Sequence, residues 1–345
     1  MRAAHAWLLA VGAYLCLAGC APALRPSVAS VTPLAAPSPS EPSRGLSVRY
    51  FGTSTVVITD GSTAIITDGF FSRPRLGTAL FQPLRPHLAR IESGLRHAGA
   101  NRAAAVLVAH AHHDHAMDAP YVAQLTSARL VGSRSAGNIA RGVDFPDERI
   151  DEIADGSRCQ FGAFTVTALT TPHSRPVLFP GRITAPLGRT ARIGDYREGG
   201  NFSFHVAHPW GDVLIVPSRG VRKDRHPLKA DVVLLSVGGW VSNKRSLAPY
   251  WAQFVDGPGA QRIYPIHWDN FFRPFEYGPA SESDRRINRK LGYLRALARP
   301  GQEVRLLPFG DEVLLYGPGA DLVERARTQD GCSDGAGSPS QSVQN

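Results

Sequence analysis

Residues 110 to 115 read HAHHDH, which crowds His110, His112, His113, Asp114 and His115 into six positions. Imidazoles and a carboxylate at this density suit a metal ion: zinc first, with iron or manganese also compatible. In an extended segment, residues two apart point to the same side, so His110 and His112 can share one ion. Asp114 and His115 follow where the chain turns towards a helix and can present a second, adjacent ligand set. Two plainer readings compete, a loose histidine tract and a polar surface turn. The flanking sequence argues against both, because the run follows the apolar stretch AAAVLVAH, which has the length of a buried strand and ends on His110.

Two distant histidines share that placement. His173 follows the strand-like FTVTALTT, and His267 ends RIYPIH. Sites are built in loops at the ends of rigid strands, so three separated segments can converge on one sheet edge. The elements that must position them alternate along the chain. SVRYFG, TVVIT and TAIIT read as strands, with Asp60-Gly61 as a hairpin signal between the last two. FQPLRPHLARIESGLRHAGA reads as helix after its prolines, as do 117–126, 134–141, the stretch around APYWAQFV, and 282–298. FSFHVAH with DVLIVPS reads as a strand pair, DVVLLSVGG as another strand, and EVRLLPF with EVLLYG as a closing hairpin. Buried strands with helices to cover them define an α/β layered fold.

The histidine run matches HxHxDH, and with the other landmarks it resembles the metallo-β-lactamase superfamily. Asp68, His173 and His267 follow in that family's order, and the likeness spans about Val48 to Phe309. It implies an αββα sandwich, two mixed β-sheets flanked by helices, with metals at one edge. It further implies that His110, His112 and His173 hold a first ion and that Asp114, His115 and His267 hold a second. His113 occupies the variable position of the motif, and Asp68 braces the loop rather than binding metal. His205 and His208 read as strand and turn residues.

The chain departs from the family at one place. A bridging aspartate is expected after DVLIVPS, and Pro217-Ser218 stands there instead. A neutral hydroxyl is a weaker ligand than a carboxylate, so the cofactor expectation is one or two zinc ions, with manganese or iron as alternatives. Serine variants also occur among lactonase-like and phospholipase-like members, so the change need not mean a dead enzyme. FGTSTVVITD, DGFFSRP, VGGW and PIHWDNF look most like the subgroup that includes ascorbate-phosphate lactonase and N-acyl-phosphatidylethanolamine phospholipase D.

The chemistry this implies is hydrolysis by metal-activated water, with Asp114 orienting the nucleophile or taking its proton. The bond would be a phosphodiester, ester or lactone in a small-molecule or lipid, envelope-derived substrate. Arg219, Arg222, Lys223 and Arg225 could meet a phosphate or form a solvated loop. Phe70, Phe71, Trp268, Phe271 and Phe272 could line a substrate groove or lie in the core. The Pro- and Gly-rich VLFPGRITAPLGRTARIGDY reads as a lid or substrate loop. The alternative from another class is a non-catalytic zinc-binding lipoprotein with a degenerate site.

The 345 residues, 43% of them hydrophobic, suffice for a substantial core. The net charge of +9 comes from scattered arginines without an aromatic-basic RNA signature, so no nucleic-acid partner is expected. Residues 6–19, AWLLAVGAYLCLAG, form an apolar run after Arg2 and read as a secretory signal. Leu17-Ala18-Gly19-Cys20 looks like a bacterial lipobox, and Ala21 after it leans towards the outer membrane. The expected organisation is a signal peptide at 1–19, then a lipidated Cys20 and flexible tether at 20–46. A catalytic domain at 47–326 and a disordered tail at 327–345 complete it. The expected location is the cell envelope, anchored through Cys20 and facing the periplasm. Cys159 and Cys332 are the only other cysteines left after signal removal and imply no disulfide framework.

Overall fold

A computed structural model describes residues 24–36, 45–224, 228–239, 243–274, 284–317 and 331–333. Short β-branched runs build the first sheet: β1 (Leu46–Tyr50), β2 (Val56–Thr59), β3 (Ala64–Thr67), β4 (Ala105–Leu107), β5 (Arg129–Gly132) and β6 (Ile150–Glu152). The second contains β7 (Arg158–Phe161), β8 (Phe164–Thr170), β9 (Phe202–Ala207), β10 (Val213–Val216), β11 (Val232–Ser236), β12 (Arg262–Ile266) and β13 (Glu303–Val304). β14 (Glu312–Tyr316) returns to the first sheet beside β1, and β15 (Gly331–Ser333) pairs with β7. Both sheets are mixed. β1–β2–β3 run antiparallel and β3–β4–β5–β6 parallel, while β10–β11–β12–β13 run parallel and β7–β8–β9–β10 antiparallel.

The two-residue period of a strand explains the layering. Val56, Ile58, Ile65, Ala105 and Leu107 face the second sheet and join one core with Phe204, Ile215 and Leu234. Their neighbours Val57, Ile66, Val106 and Val108 point outward into another core. That outer core is covered by α2 (Leu88–His97), α4 (Ala119–Thr126) and α5 (Arg134–Arg141), through Ile91, Leu95, Val122, Leu125 and Ile139. The second sheet is covered by α6 (Lys244–Trp251) and α7 (Asp284–Arg295), through Leu247, Ile287 and Leu291. The expected αββα sandwich is therefore the observed one. Among the described residues, both sheets and both cores come from positions after 24.

Several expectations need correction. The Asp60-Gly61 hairpin is not among them: it forms, with a four-residue connection in which the Asp60 carboxylate accepts from the Ser62 and Thr63 amides at 2.8 and 2.6 Å. The closing hairpin does not form: β13 pairs with β12 in one sheet and β14 with β1 in the other, so the chain crosses the sandwich between them. The stretch 24–36, expected to be tether, is packed down. Val28, Val31 and Leu34, spaced three apart, are buried, and the Leu34 amide donates to the Leu125 carbonyl at 2.8 Å. Arg25 is fully buried and donates to the carbonyls of Leu187, Gly188 and Ile139. Part of the expected tail is also ordered as β15, because the β7 edge offers it backbone partners. Cys159 is disulfide-bonded and stands opposite Cys332 in that ladder, contrary to the reading without disulfides. The signal and lipobox residues 1–20 lie outside the described residues. Among those described, no helix is long and apolar enough to cross a membrane.

Candidate metal centre

His110 and His173 each lie three residues beyond the last residue of a strand, β4 and β8, while His267 directly follows β12. The three strand ends open on the same edge of the sandwich. His112 is extended (φ −65°, ψ 156°) and caps the short α3 (His113–Ala116), whose first turn carries Asp114 and His115. The fold thus gathers two groups: His110 with His112 and His173, and Asp114 with His115 and His267. Within each group the ligand atoms lie no more than 4.8 Å apart. These are the six residues that the HxHxDH resemblance implied as ligands.

The nitrogens that face the centre can be read from what the opposite nitrogens touch. His115 Nδ1 lies 2.8 Å from Asp68 Oδ2. A carboxylate only accepts, so Nδ1 carries the proton and Nε2 turns to the centre. His173 Nδ1 likewise donates to the Ser174 carbonyl at 2.7 Å. His110 Nε2 and His112 Nδ1 approach to 3.0 Å. Asp114 Oδ2 is 3.5 Å from both His115 Nε2 and His267 Nε2. Two donors about 2.05 Å from a tetrahedral zinc stand about 3.3 Å apart, close to the His110–His112, Asp114–His115 and Asp114–His267 separations. Borderline imidazole with one carboxylate is also a zinc-compatible donor set.

The electrostatics keep His110, His112 and Asp114 in ligand form, whereas the carboxylates beside His115 favour its charged form. Burial, reinforced by the imidazoles of His115, His112 and His173, holds His110 well below the usual histidine range. Burial takes His112 down to about 4 against the pull of Asp114. Asp114 is buried, which alone would favour its neutral form, yet His115, His267 and His113 hold it well below the ordinary carboxylate range. Burial would lower His115, but Asp114 and Asp68 outweigh it and raise it.

The bracing residues are as informative as the ligands. Asp68, in a left-handed conformation at φ 55°, accepts from Ser54 Oγ and from the Ala109 amide at 2.8 Å, so it ties β3 to the histidine loop. His113 is outside both groups and stacks on Phe272 at 5.9 Å. His205 and His208 sit away from the centre, on the Lys229 carbonyl and on Asp60. Ser218 does reach the centre, directly after Pro217 at the end of β10, and its Oγ accepts from the Ser174 amide at 3.2 Å. Asp212 instead pairs with His205, and Asp114 is the only carboxylate among the described residues lining the cavity. No bridging carboxylate replaces Ser218 there.

The sequence reading missed one network. Asp269, two residues after His267, is fully enclosed and ion-paired with buried Arg73. It accepts from the Thr53 amide at 2.7 Å and from Tyr50 Oη at 3.1 Å. Thr53 and Tyr50 in turn hold the His267 amide, at 2.6 and 3.0 Å, and His267 has φ 57°. The HWD spacing carried that signal, but its partners lie more than 190 positions upstream.

The centre floors a cavity of about 260 Å³. Its walls include Pro176, Leu178, Phe179 and Ile193 from the predicted lid segment or its border, with Phe271 and Phe272 opposite. Phe70 and Phe71 are core residues, and Trp268 is buried without lining the cavity. Of the basic residues considered for phosphate, Arg222 is paired with Asp155, and neither it nor Arg219 nor Lys223 lines the cavity; Arg225 lies outside the described residues.

Residues 63–268, more than half of the chain, match the beta-lactamase superfamily domain. The chain belongs to the metallo-β-lactamase superfamily. A UPF0173 metal-dependent hydrolase of Anaeromyxobacter dehalogenans (strain 2CP-1) is 25% identical over 270 residues, covering 77% of this chain and 85% of the relative. The isothiocyanate hydrolase from Delia radicum gut bacteria superposes with a TM-score of 0.50 at 16% identity, covering 79% of this chain and 99% of that one. CmlA, a diiron β-hydroxylase from Streptomyces venezuelae, also reaches 0.50, at 14% identity, covering 81% of this chain and 55% of that one. At these identities the two structures establish a shared fold of this superfamily.

Proposed function

We propose that the chain, a metal-dependent hydrolase of this superfamily, cleaves an ester, lactone or phosphodiester bond in a substrate with an apolar portion, from a lipid or the cell envelope. The observation that carries this reading is the joining of two ligand triads to an apolar-walled cavity. His110, His112 and His173 would hold one zinc ion, and Asp114, His115 and His267 would hold a second. Zinc bound there supplies a Lewis acid and lowers the pKa of water to about 7.

The protein's own groups do the rest. Asp114 stays ionised and accepts a hydrogen bond from the attacking water, which orients it. Phe271, Phe272, Leu178 and Phe179 seat the apolar portion and exclude bulk water. No lysine or arginine is among the described lining residues, which favours a neutral ester or lactone over a phosphodiester. Lipidation at Cys20 after signal removal, with attachment to the outer membrane facing the periplasm, fits the lipobox-like LAGC.

The test is a panel of acyl esters, lactones and phosphodiesters assayed with zinc quantified, alongside mass spectrometry of the native N-terminus. Zinc-dependent turnover of an apolar ester or lactone is expected, with an acylated Cys20. Zinc binding without turnover of any panel member supports the non-catalytic reading, which the missing carboxylate at Ser218 favours.

A further inference from the structure

Nine large hydrophobic side chains are exposed among the described residues, and six of them lie on three touching segments. α1 (Leu76–Phe81) presents Leu76 and Leu80, one helical turn apart, and Phe81, which is 77% exposed. The loop after His173 presents Leu178, 67% exposed, and Phe179. The N-terminal stretch presents Leu24. The segments are joined by one side-chain and two backbone contacts. Arg192 donates to the Phe81 carbonyl, Leu84 and Ala191 form a β-bridge, and the Arg25 amide donates to the Arg189 carbonyl at 2.8 Å. Arg189 to Arg192 spans at most about 14 Å, so Leu24 and Phe81 lie along one short strip.

The charge around this strip is one-sided. Around α1, residues 74–89 contain the exposed Arg75 and Arg85 and no acid. Residues 174–198 contain five arginines against Asp195 and Glu198. The balance there is three positive charges, and Asp195 accepts from the Arg192 amide at 2.7 Å. Apolar side chains among arginines complement an anionic bilayer, where the rings and aliphatic chains enter the interface and the guanidinium groups meet lipid phosphates.

The chain's course adds a second argument. Buried Arg25 fixes residue 25 beside Leu187 and Gly188. The apolar run 6–19 ends six residues before it. A lipid on Cys20, as proposed above, would therefore lie within roughly 20 Å of this strip. A long flexible spacer would have let the domain tumble, but packing of 24–36 removes that freedom.

We propose that α1, the 174–198 loop and Leu24 form a docking face for an anionic lipid bilayer. The cavity, whose rim includes Leu178 and Phe179, then opens at the membrane surface. Docking requires neither the proposed substrate class nor lipid on Cys20, so it can fail or hold independently of both.

The experiment is sedimentation with vesicles of phosphatidylcholine alone or mixed with phosphatidylglycerol. It uses a chain begun at Ala21, which retains every packed element described. Binding to the mixed vesicles is expected, weakened by salt and by omission of phosphatidylglycerol. Leu80→Ser with Phe81→Ser should lower the partition coefficient about tenfold or more, since two apolar side chains lose their burial. Leu76→Ser should lower it less, and Leu314→Ser, away from the face, not at all. Both side chains of the double variant are exposed, so its melting temperature and bound zinc should match the parent. Failure of the parent to bind either vesicle, or equal binding by the double variant, overturns the proposal. A concentration-dependent dimer that the double variant abolishes, without vesicle binding, overturns it too and assigns the face to a second copy.

Discussion

Replacing Asp269 by asparagine tests how the fold holds its sixth candidate ligand. Asp269 and Arg73 are both buried and paired. Removing one partner of a buried ion pair costs about 3–5 kcal/mol, because the other charge is stranded. Arg73 keeps contacts to the carbonyls of Phe51 and Asn270, at 3.3 and 3.1 Å, and asparagine preserves shape, so the cost falls near the lower end, about 3 kcal/mol. The effect on the centre is directional. Asp269 fixes Thr53 and Tyr50, and these hold the His267 amide. His267 belongs with Asp114 and His115, whereas His110, His112 and His173 hang from β4 and β8 and do not share this network. Asp269→Asn should therefore weaken the second ion and spare the first. Urea unfolding gives the stability change, and metal analysis along a chelator titration shows which ion leaves. Unchanged stability, or equal weakening of both ions, would refute the reasoning.

Ser218→Asp places a carboxylate in the wall of the same cavity and should tighten the second ion about tenfold, the scale of one added short-range charge contact in a partly screened site. An unmoved chelator midpoint shows that position 218 does not bridge. His110→Ala and His112→Ala should each abolish turnover and release one ion while circular dichroism stays native; wild-type turnover in the double variant places the active site elsewhere. Asp60 provides a pH test away from the centre. Burial would raise its pKa, but hydrogen bonds from His208, Thr63 and Ser62 prevail and bring it from 3.8 to about 2. A depressed carboxyl stabilises the fold above its unfolded value and loses that contribution as pH falls through its folded value. Asp60→Asn should cost about 2 kcal/mol at neutral pH, a difference that fades between about pH 4 and pH 2 in denaturant titrations.

The candidate ligand set and the kind of fold were legible in the sequence alone. Strand period and helix period are local properties, and HAHHDH declares its chemistry within six residues. His173 and His267 could be chosen because each follows an apolar strand, a pattern that survives without coordinates. Tertiary structure decided whatever depends on partners distant in the chain. EVRLLPF and EVLLYG look like a hairpin locally, yet their strands join different sheets, since β12 and β1 offer better-placed edges. The Pro- and Ala-rich stretch before Leu46 has the composition of a spacer, but three apolar side chains and one buried arginine find a groove against α4 and the 187–189 loop. Composition measures what a segment has to bury; it does not reveal whether another part of the chain provides a place to bury it. Asp269 shows the same limit at the centre. A lone acid near a histidine becomes a brace only when Arg73, Tyr50 and Thr53 are folded around it.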